Sequence, residues 1–100
     1  MFIIIWEFVV GKANEFDFEK TYGSDGDWAE LFKHSDGYLG IELLRDENHP
    51  HRYVTIDRWV FSTAYEDFRQ KWGMEYQVID EQCNGLTEQE VFLGSFTRKE

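Results

Sequence analysis

The sequence predicts an α+β fold: one four-stranded antiparallel sheet with its helices on one face. Three observations predict it. Phe2 to Val10 is an apolar run rich in β-branched and aromatic residues. Tyr38 to Arg45 and Arg52 to Phe61 are alternating segments joined by a polar linker. Between the strands, large rings recur at helical spacing. With 100 residues there is material for one core and no second, so residues 1–100 are read as a single domain.

The elements follow in order. Phe2 to Val10, closed by Gly11, reads as a strand buried on both faces and therefore central in the sheet. From Ala13 to Tyr22, Phe18 and Tyr22 lie four residues apart on one helix face, with Phe16 nearby, and Gly23-Ser24-Asp25-Gly26 stops the helix. Asp27 stands where an N-cap belongs, with Glu30 three residues on. A short second helix is thus expected over Trp28 to His34, carrying Leu31 and Phe32 inward. Asp36-Gly37 is a turn. The next two strands are expected as antiparallel neighbours joined by Asp46-Glu47-Asn48-His49-Pro50-His51. Ser62 or Thr63 can cap the following helix, Thr63 and Glu66 having capping-box spacing, and Tyr65, Phe68 and Trp72 fall at i, i+3 and i+7. Gly73 kinks or interrupts it, and a segment with Tyr76, Ile79 and Cys83 on one face runs to Asn84-Gly85. Glu90 to Thr97 is the last strand. The order strand-helix-strand-strand-helix-strand is the split β-α-β of ferredoxin-like domains.

Both faces of this sheet are apolar. In the first strand Phe2, Ile4, Trp6 and Phe8 share one side, and Ile3, Ile5, Glu7 and Val9 the other. In the third, Tyr53, Thr55, Asp57, Trp59 and Phe61 alternate with Arg52, Val54, Ile56, Arg58 and Val60. Helices on one side leave the other to be covered, and for so short a chain a second copy is the expected cover, giving a homodimer through the open sheet face.

Composition narrows the function. Twenty acidic side chains against ten basic ones give a formal net charge of -10, which would be repelled by nucleic acid and by anionic membrane surfaces. Phe2 to Val10 is too short to span a bilayer and is broken by Glu7. One cysteine, Cys83, cannot form an intramolecular disulfide, and no basic flank, apolar run and small-residue cleavage site combine at the amino end, so the cytoplasm is the expected compartment. No Gly-rich phosphate loop, nucleophile elbow or His-Glu-x-x-His element occurs, and no cofactor is implied. Eighteen aromatic residues exceed what so small a core usually holds, so some are expected to line a cavity or an interface.

Gly26-Asp27-Trp28-Ala29-Glu30-Leu31-Phe32, Gly37-Tyr38-Leu39-Gly40, Arg52-Tyr53-Val54-Thr55-Ile56-Asp57-Arg58-Trp59 and Ser62-Thr63-Ala64-Tyr65-Glu66-Asp67-Phe68 together resemble the antibiotic biosynthesis monooxygenase family. The resemblance covers nearly the whole chain and is densest between Trp28 and Phe68. It implies two sheets closing into a dimeric α+β barrel. It also implies, for one branch, oxidation of quinols or aromatic polyketides by molecular oxygen without flavin, haem or metal. Such chemistry needs a dry apolar pocket, a proton acceptor and donors for a developing oxyanion. Another branch degrades haem and resembles the family with an asparagine on the first strand, a tryptophan on the helix after the third strand and a histidine about three turns later. Here the first strand has no asparagine, the helix position is Phe68 and no histidine lies between Ser62 and Gly85, so haem degradation is not implied.

The residues offer these candidates. Trp59, Tyr65, Phe68, Trp72 and Tyr76, with Trp6 and Tyr38 beside them, could line a pocket for a small aromatic or hydrophobic ligand, or could simply be core. Asp57, Glu42 and Glu7 lie inside strands; each is either paired with Arg58, Arg45 or Arg52, or functional. His34 could accept a proton or cap a helix C-terminus. His49-Pro50-His51 matches no metal-ligand motif, and no metal is expected there. Cys83 reads as a small buried hydrophobe. The chain is expected to be a cofactor-independent monooxygenase of a small aromatic or quinol-like compound or, alternatively, a non-enzymatic dimeric binding or protective protein for a hydrophobic metabolite.

Overall fold

Strands β1 (Phe2–Val9), β2 (Tyr38–Arg45), β3 (Arg52–Trp59) and β4 (Gln89–Thr97) form an antiparallel sheet in the order β2-β3-β1-β4. This is a computed structural model, and it describes residues 1–99. Helices α1 (Glu15–Tyr22), α2 (Asp27–Phe32), α3 (Ser62–Lys71) and α4 (Gly73–Gln82) cover one face. Phe18 of α1 packs on Phe8 and Tyr53, Phe32 of α2 on Trp59, and Phe68 of α3 on Trp59. The fold is α+β and ferredoxin-like, with β1 internal as its doubly apolar pattern requires.

The register builds rows across the covered face. Ile4, Asp57 and Ile41 lie side by side, and next to them run Phe92, Trp6, Thr55 and Leu43. Along β3 burial alternates without a break, so Tyr53, Thr55, Asp57 and Trp59 all point under the helices. The register slips between Ile5 and Trp6 against β4, and between Tyr38 and Gly40 against β3. These bulges bend the two edge strands.

Element ends differ from the expectations in ways that tertiary contacts explain. The first crossover begins with a 3-10 turn, Lys12–Asn14, and is α-helical only from Glu15. Helix α2 starts one residue early, with Gly26 as its N-cap, and ends at Phe32 rather than His34. A Cβ on Gly26 would sit 2.4 Å from the Thr21 carbonyl and 2.5 Å from that of Lys20. The last turn of α1 thus forces glycine into the cap, and Asp27 moves to the first helical position, where its charge meets the positive end of the helix. β3 stops at Trp59, not Phe61. Phe61, in extended conformation, is the N-cap of α3, and neither Ser62 nor Thr63 makes a capping hydrogen bond. The Val60 amide still donates to the Gly37 carbonyl at 2.8 Å, and a Cβ on Gly37 would lie 2.5 Å from that of Ala64. Close packing of α3 on the β2 turn therefore sets where the strand gives way to the helix. Trp72, between α3 and α4, has non-helical dihedrals, consistent with an interruption at Gly73.

The face away from the helices carries Ile3, Ile5, Val9, Val54 and Ile56, all partly exposed, with Leu44 and Phe96 exposed by nearly half. Its charges are paired: Arg52 donates to Glu7 at 2.6 Å and 2.9 Å, and Arg58 is bonded to Glu42. Among the described residues no helix is long and apolar enough to cross a membrane.

Candidate functional site

A cavity of about 430 Å³ opens between the sheet and the helices. Its buried part is built from Phe8 of β1, Ile41 of β2, Thr55 and Asp57 of β3, Tyr22 of α1, and Trp28 and Phe32 of α2. Trp6 and Tyr76 are partly exposed, and Arg69, Asp80 and Glu90 stand at the mouth. The rings interlock: Trp28 lies 4.8 Å from Tyr76 and 5.8 Å from Phe32, and Tyr22 lies 5.0 Å from Phe8. Such a wall suits a flat apolar ligand.

Asp57 is the exception in this lining. Only 8% of it is exposed, and Oδ1 is buried without a hydrogen-bond partner. Its neighbours across the sheet, Ile4 and Ile41, offer no donor from their side chains. Burial alone pushes its carboxyl up to about 7, far from the ordinary carboxylate range. A carboxyl half-ionised at neutral pH can either take or give a proton. Burial first and the Asp57 charge second raise the Tyr38 hydroxyl, which is itself buried and unpartnered. Burial is also the leading cause holding up the Tyr76 hydroxyl. Arg69 Nη1 donates to the Tyr65 hydroxyl at 2.9 Å, and its guanidinium sits 3.8 Å above the Tyr76 ring.

Of the residues singled out from sequence, the structure brings Asp57, Trp6 and Tyr76 to this cavity. Trp59 and Phe68 do not line it. They are core, each 5.4 Å from Phe32, one layer behind the wall. Tyr65 packs against Trp59, and Tyr38 against Phe32 and Trp59. Trp72 stacks on His34 at 4.3 Å, and His34 edges a separate groove with Asp27, Glu30 and Ile79. Glu42 lies on the opposite sheet face with Arg58, so neither His34 nor Glu42 joins Asp57.

Sequence reasoning missed Phe8, Tyr22, Trp28, Phe32, Ile41, Thr55, Arg69, Asp80 and Glu90. Period two was a usable signal for some, since Phe8 follows Trp6 and Thr55 precedes Asp57 by two residues. Arg69 and Asp80 likewise stand four residues after Tyr65 and Tyr76. For Tyr22, Trp28 and Phe32 no pattern separates lining from core.

His49 and His51 pair with Asp46 and Glu15 at 3.5 and 3.7 Å, and the described residues contain no group of three His, Cys, Asp or Glu side chains able to hold a metal ion. Burial raises the thiol of Cys83, the buried C-cap residue of α4, which ends at Gln82 and does not run on to Asn84 as expected.

No family model matches the chain, and no curated protein matches it in sequence. Solved structures do match. Over 99% of this chain and 93% of the other, it is similar to an asparagine-to-alanine variant of SnoaB, a cofactor-independent oxygenase from Streptomyces nogalater, at 21% identity and TM-score 0.74. The chain has the antibiotic biosynthesis monooxygenase fold. A proposed antibiotic biosynthesis monooxygenase from Deinococcus radiodurans shares this fold over 100% of this chain and 94% of its own, at 16% identity and TM-score 0.76. An arginine-to-serine variant of MhuD, with two manganese protoporphyrin IX bound per active site, shares it at 19% identity and TM-score 0.70, over 98% and 94% of the two chains. The resemblance carried by Trp28 to Phe68 and the likeness in three dimensions lead to one fold by separate routes.

Proposed function

We propose that the chain is a cofactor-independent monooxygenase of small aromatic, quinol-like compounds, working in the cytoplasm as a homodimer joined through the open sheet face. The carrying observation is Asp57: an unpaired carboxyl at the buried end of an aromatic cavity, poised near neutrality. In this reading Asp57 takes a proton from the bound phenol or from the ring carbon beside it. The electron-rich anion then passes electrons to oxygen; one oxygen atom ends on the ring as a quinone carbonyl and the other leaves as water with two hydrogens of the substrate, which supplies all four electrons. Thr55, Tyr76, Arg69 and the unpartnered Trp28 Nε1 are the hydrogen-bond donors that the lining offers a developing oxyanion. Haem chemistry is less well supported, because His34, His49 and His51 all lie outside the cavity lining. A store for a plain hydrophobic metabolite would have no use for an unpaired acid there, which favours the enzyme over that role.

The test is oxygen uptake by metal-free protein across a panel of hydroquinones and phenols. Saturable uptake is expected, falling about 10²- to 10⁴-fold in Asp57→Asn, the range for loss of a general base. Uptake that is absent across the panel, or unchanged in that variant, would sink the proposal.

A further inference from the structure

Thr55, Trp28 and Tyr76 bring donors into the cavity around Asp57, and the Tyr38 hydroxyl lies near enough to feel its charge, yet none of them hydrogen-bonds Oδ1. Ile4 and Ile41 flank it in the sheet, and the rings of Phe8, Tyr22, Trp28 and Phe32 enclose the space in front of it. Its Oδ1 is therefore an acceptor with no partner in the protein, and a buried acceptor left unmade is costly until something donates to it. Farther out, Asp80 and Glu90 add two carboxylates at the mouth. Arg69 is the cation of the lining, and it is held by the Tyr65 hydroxyl and the face of Tyr76. Three carboxyl groups thus face one occupied guanidinium, in a chain whose formal net charge is -10.

We propose that the cavity selects flat aromatic ligands bearing an amine, whose N–H groups are donated inward to Asp57, and that it rejects aromatic anions. The ring of such a ligand lies among Trp6, Trp28 and Tyr76, and the indole faces also favour a cation. The amine reaches Oδ1, and the rim carboxylates draw a cation toward the mouth while repelling a carboxylate or sulfonate. The proposal rests on the same cavity as the oxygenase reading and narrows its substrate class, but it needs no oxygen chemistry to hold.

Calorimetric titration of the whole protein at pH 7.5 with three ligands of one shape tests it: 1-(aminomethyl)naphthalene, 1-(hydroxymethyl)naphthalene and 1-naphthoate. The amine is expected to bind at least about tenfold more tightly than the alcohol, the margin of a charge-assisted hydrogen bond, with the carboxylate weakest. In Asp57→Asn the gap between amine and alcohol should shrink to under about threefold, the amine losing more affinity than the alcohol. Asp80→Asn with Glu90→Gln should weaken the amine only a few-fold, because exposed charges are screened. A carboxylate bound as tightly as the amine, an amine preference that survives Asp57→Asn, or no binding of any of the three at millimolar concentration would each overturn the proposal. Should Asp57→Asn not fold, the order of the three ligands on the unaltered protein still decides. Oxygen uptake on the same samples separates the two readings. Amine-selective binding without uptake sinks the oxygenase and keeps the selectivity, and uptake with phenols but no amine preference does the reverse.

Discussion

On the open face of the sheet, Glu7 accepts from Arg52 at 2.6 Å and Glu42 is bonded to Arg58. On the covered face Asp57 sits between Ile4 and Ile41 with Oδ1 unpaired. The paired acids keep water at hand; the unpaired one has 8% of its surface left. A protein indifferent to Asp57 would gain by replacing it with a residue like its neighbours, since burying an uncompensated acid is expensive. Where a local rule is broken at a cavity and kept elsewhere in the same sheet, the breach marks the place where function has been set against stability.

The largest effect should separate the two faces by packing. Phe68→Ala removes a ring packed against Phe32 and Trp59, and should cost about 3–5 kcal/mol in denaturant unfolding. Ile5→Ala, on the partly exposed open face, should cost about 1 kcal/mol or less if that face is bare. If a second copy covers it, Ile5→Ala should instead cost about 2–4 kcal/mol, and unfolding should depend on protein concentration. Light scattering that shows a monomer at micromolar concentration, with the small Ile5→Ala value, would remove the dimer from the proposal.

The next effect belongs to Asp57 alone. Its carboxyl titrates at about 7 in the folded chain and at 3.8 when free of its surroundings. Between those values the folded state holds a proton that the unfolded state has lost, so stability contributed by this group falls as pH rises from 4 to 7. Three pH units correspond to about 4 kcal/mol, which Asp57→Asn should abolish. The variant is thus expected to gain on the unaltered protein by a few kcal/mol from pH 4 to pH 8, read from urea midpoints at each pH. An unchanged difference would mean that Asp57 finds a partner or water.

Much of this was legible beforehand because period two is a strong signal. β2 has its expected bounds, β4 begins one residue early, and Asp57 stood out as a carboxylate inside an apolar strand. Its pairing is the correction: Arg58 and Arg52, offered above as partners for Asp57, are an odd number of residues away on the same strand, so they point to the other face and bond Glu42 and Glu7 instead. Arg45 does share the covered face, opposite Tyr53, but bonds its hydroxyl along with Glu15 and Glu19. What sequence could not yield were effects set by distant backbone. The cap at Gly26 depends on the Thr21 carbonyl, and the exclusion of Trp59 and Phe68 from the cavity depends on Phe32 standing in front of them. Rings at helical spacing look alike whether they fill a core or face a hole.

The smallest effect closes the comparison from the open side. Glu42 and Arg58 are joined across β2 and β3, with side chains 51% and 32% exposed. Solvent screening at such a site reduces an ion pair to a coupling of about 0.2–1 kcal/mol. A double-mutant cycle with Glu42→Gln and Arg58→Gln should return a value in that range for an uncovered sheet, shrinking further in about 0.5 M salt as the screening length falls below the span of the pair's surroundings. If a second sheet lies over this face, water is excluded, the coupling grows severalfold and its salt dependence fades. The same pair therefore serves as a probe of cover: a weak, salt-sensitive coupling leaves Asp57 as the sole strand acid shielded from solvent, and a strong, salt-insensitive one makes the contrast between the faces a matter of pairing rather than burial.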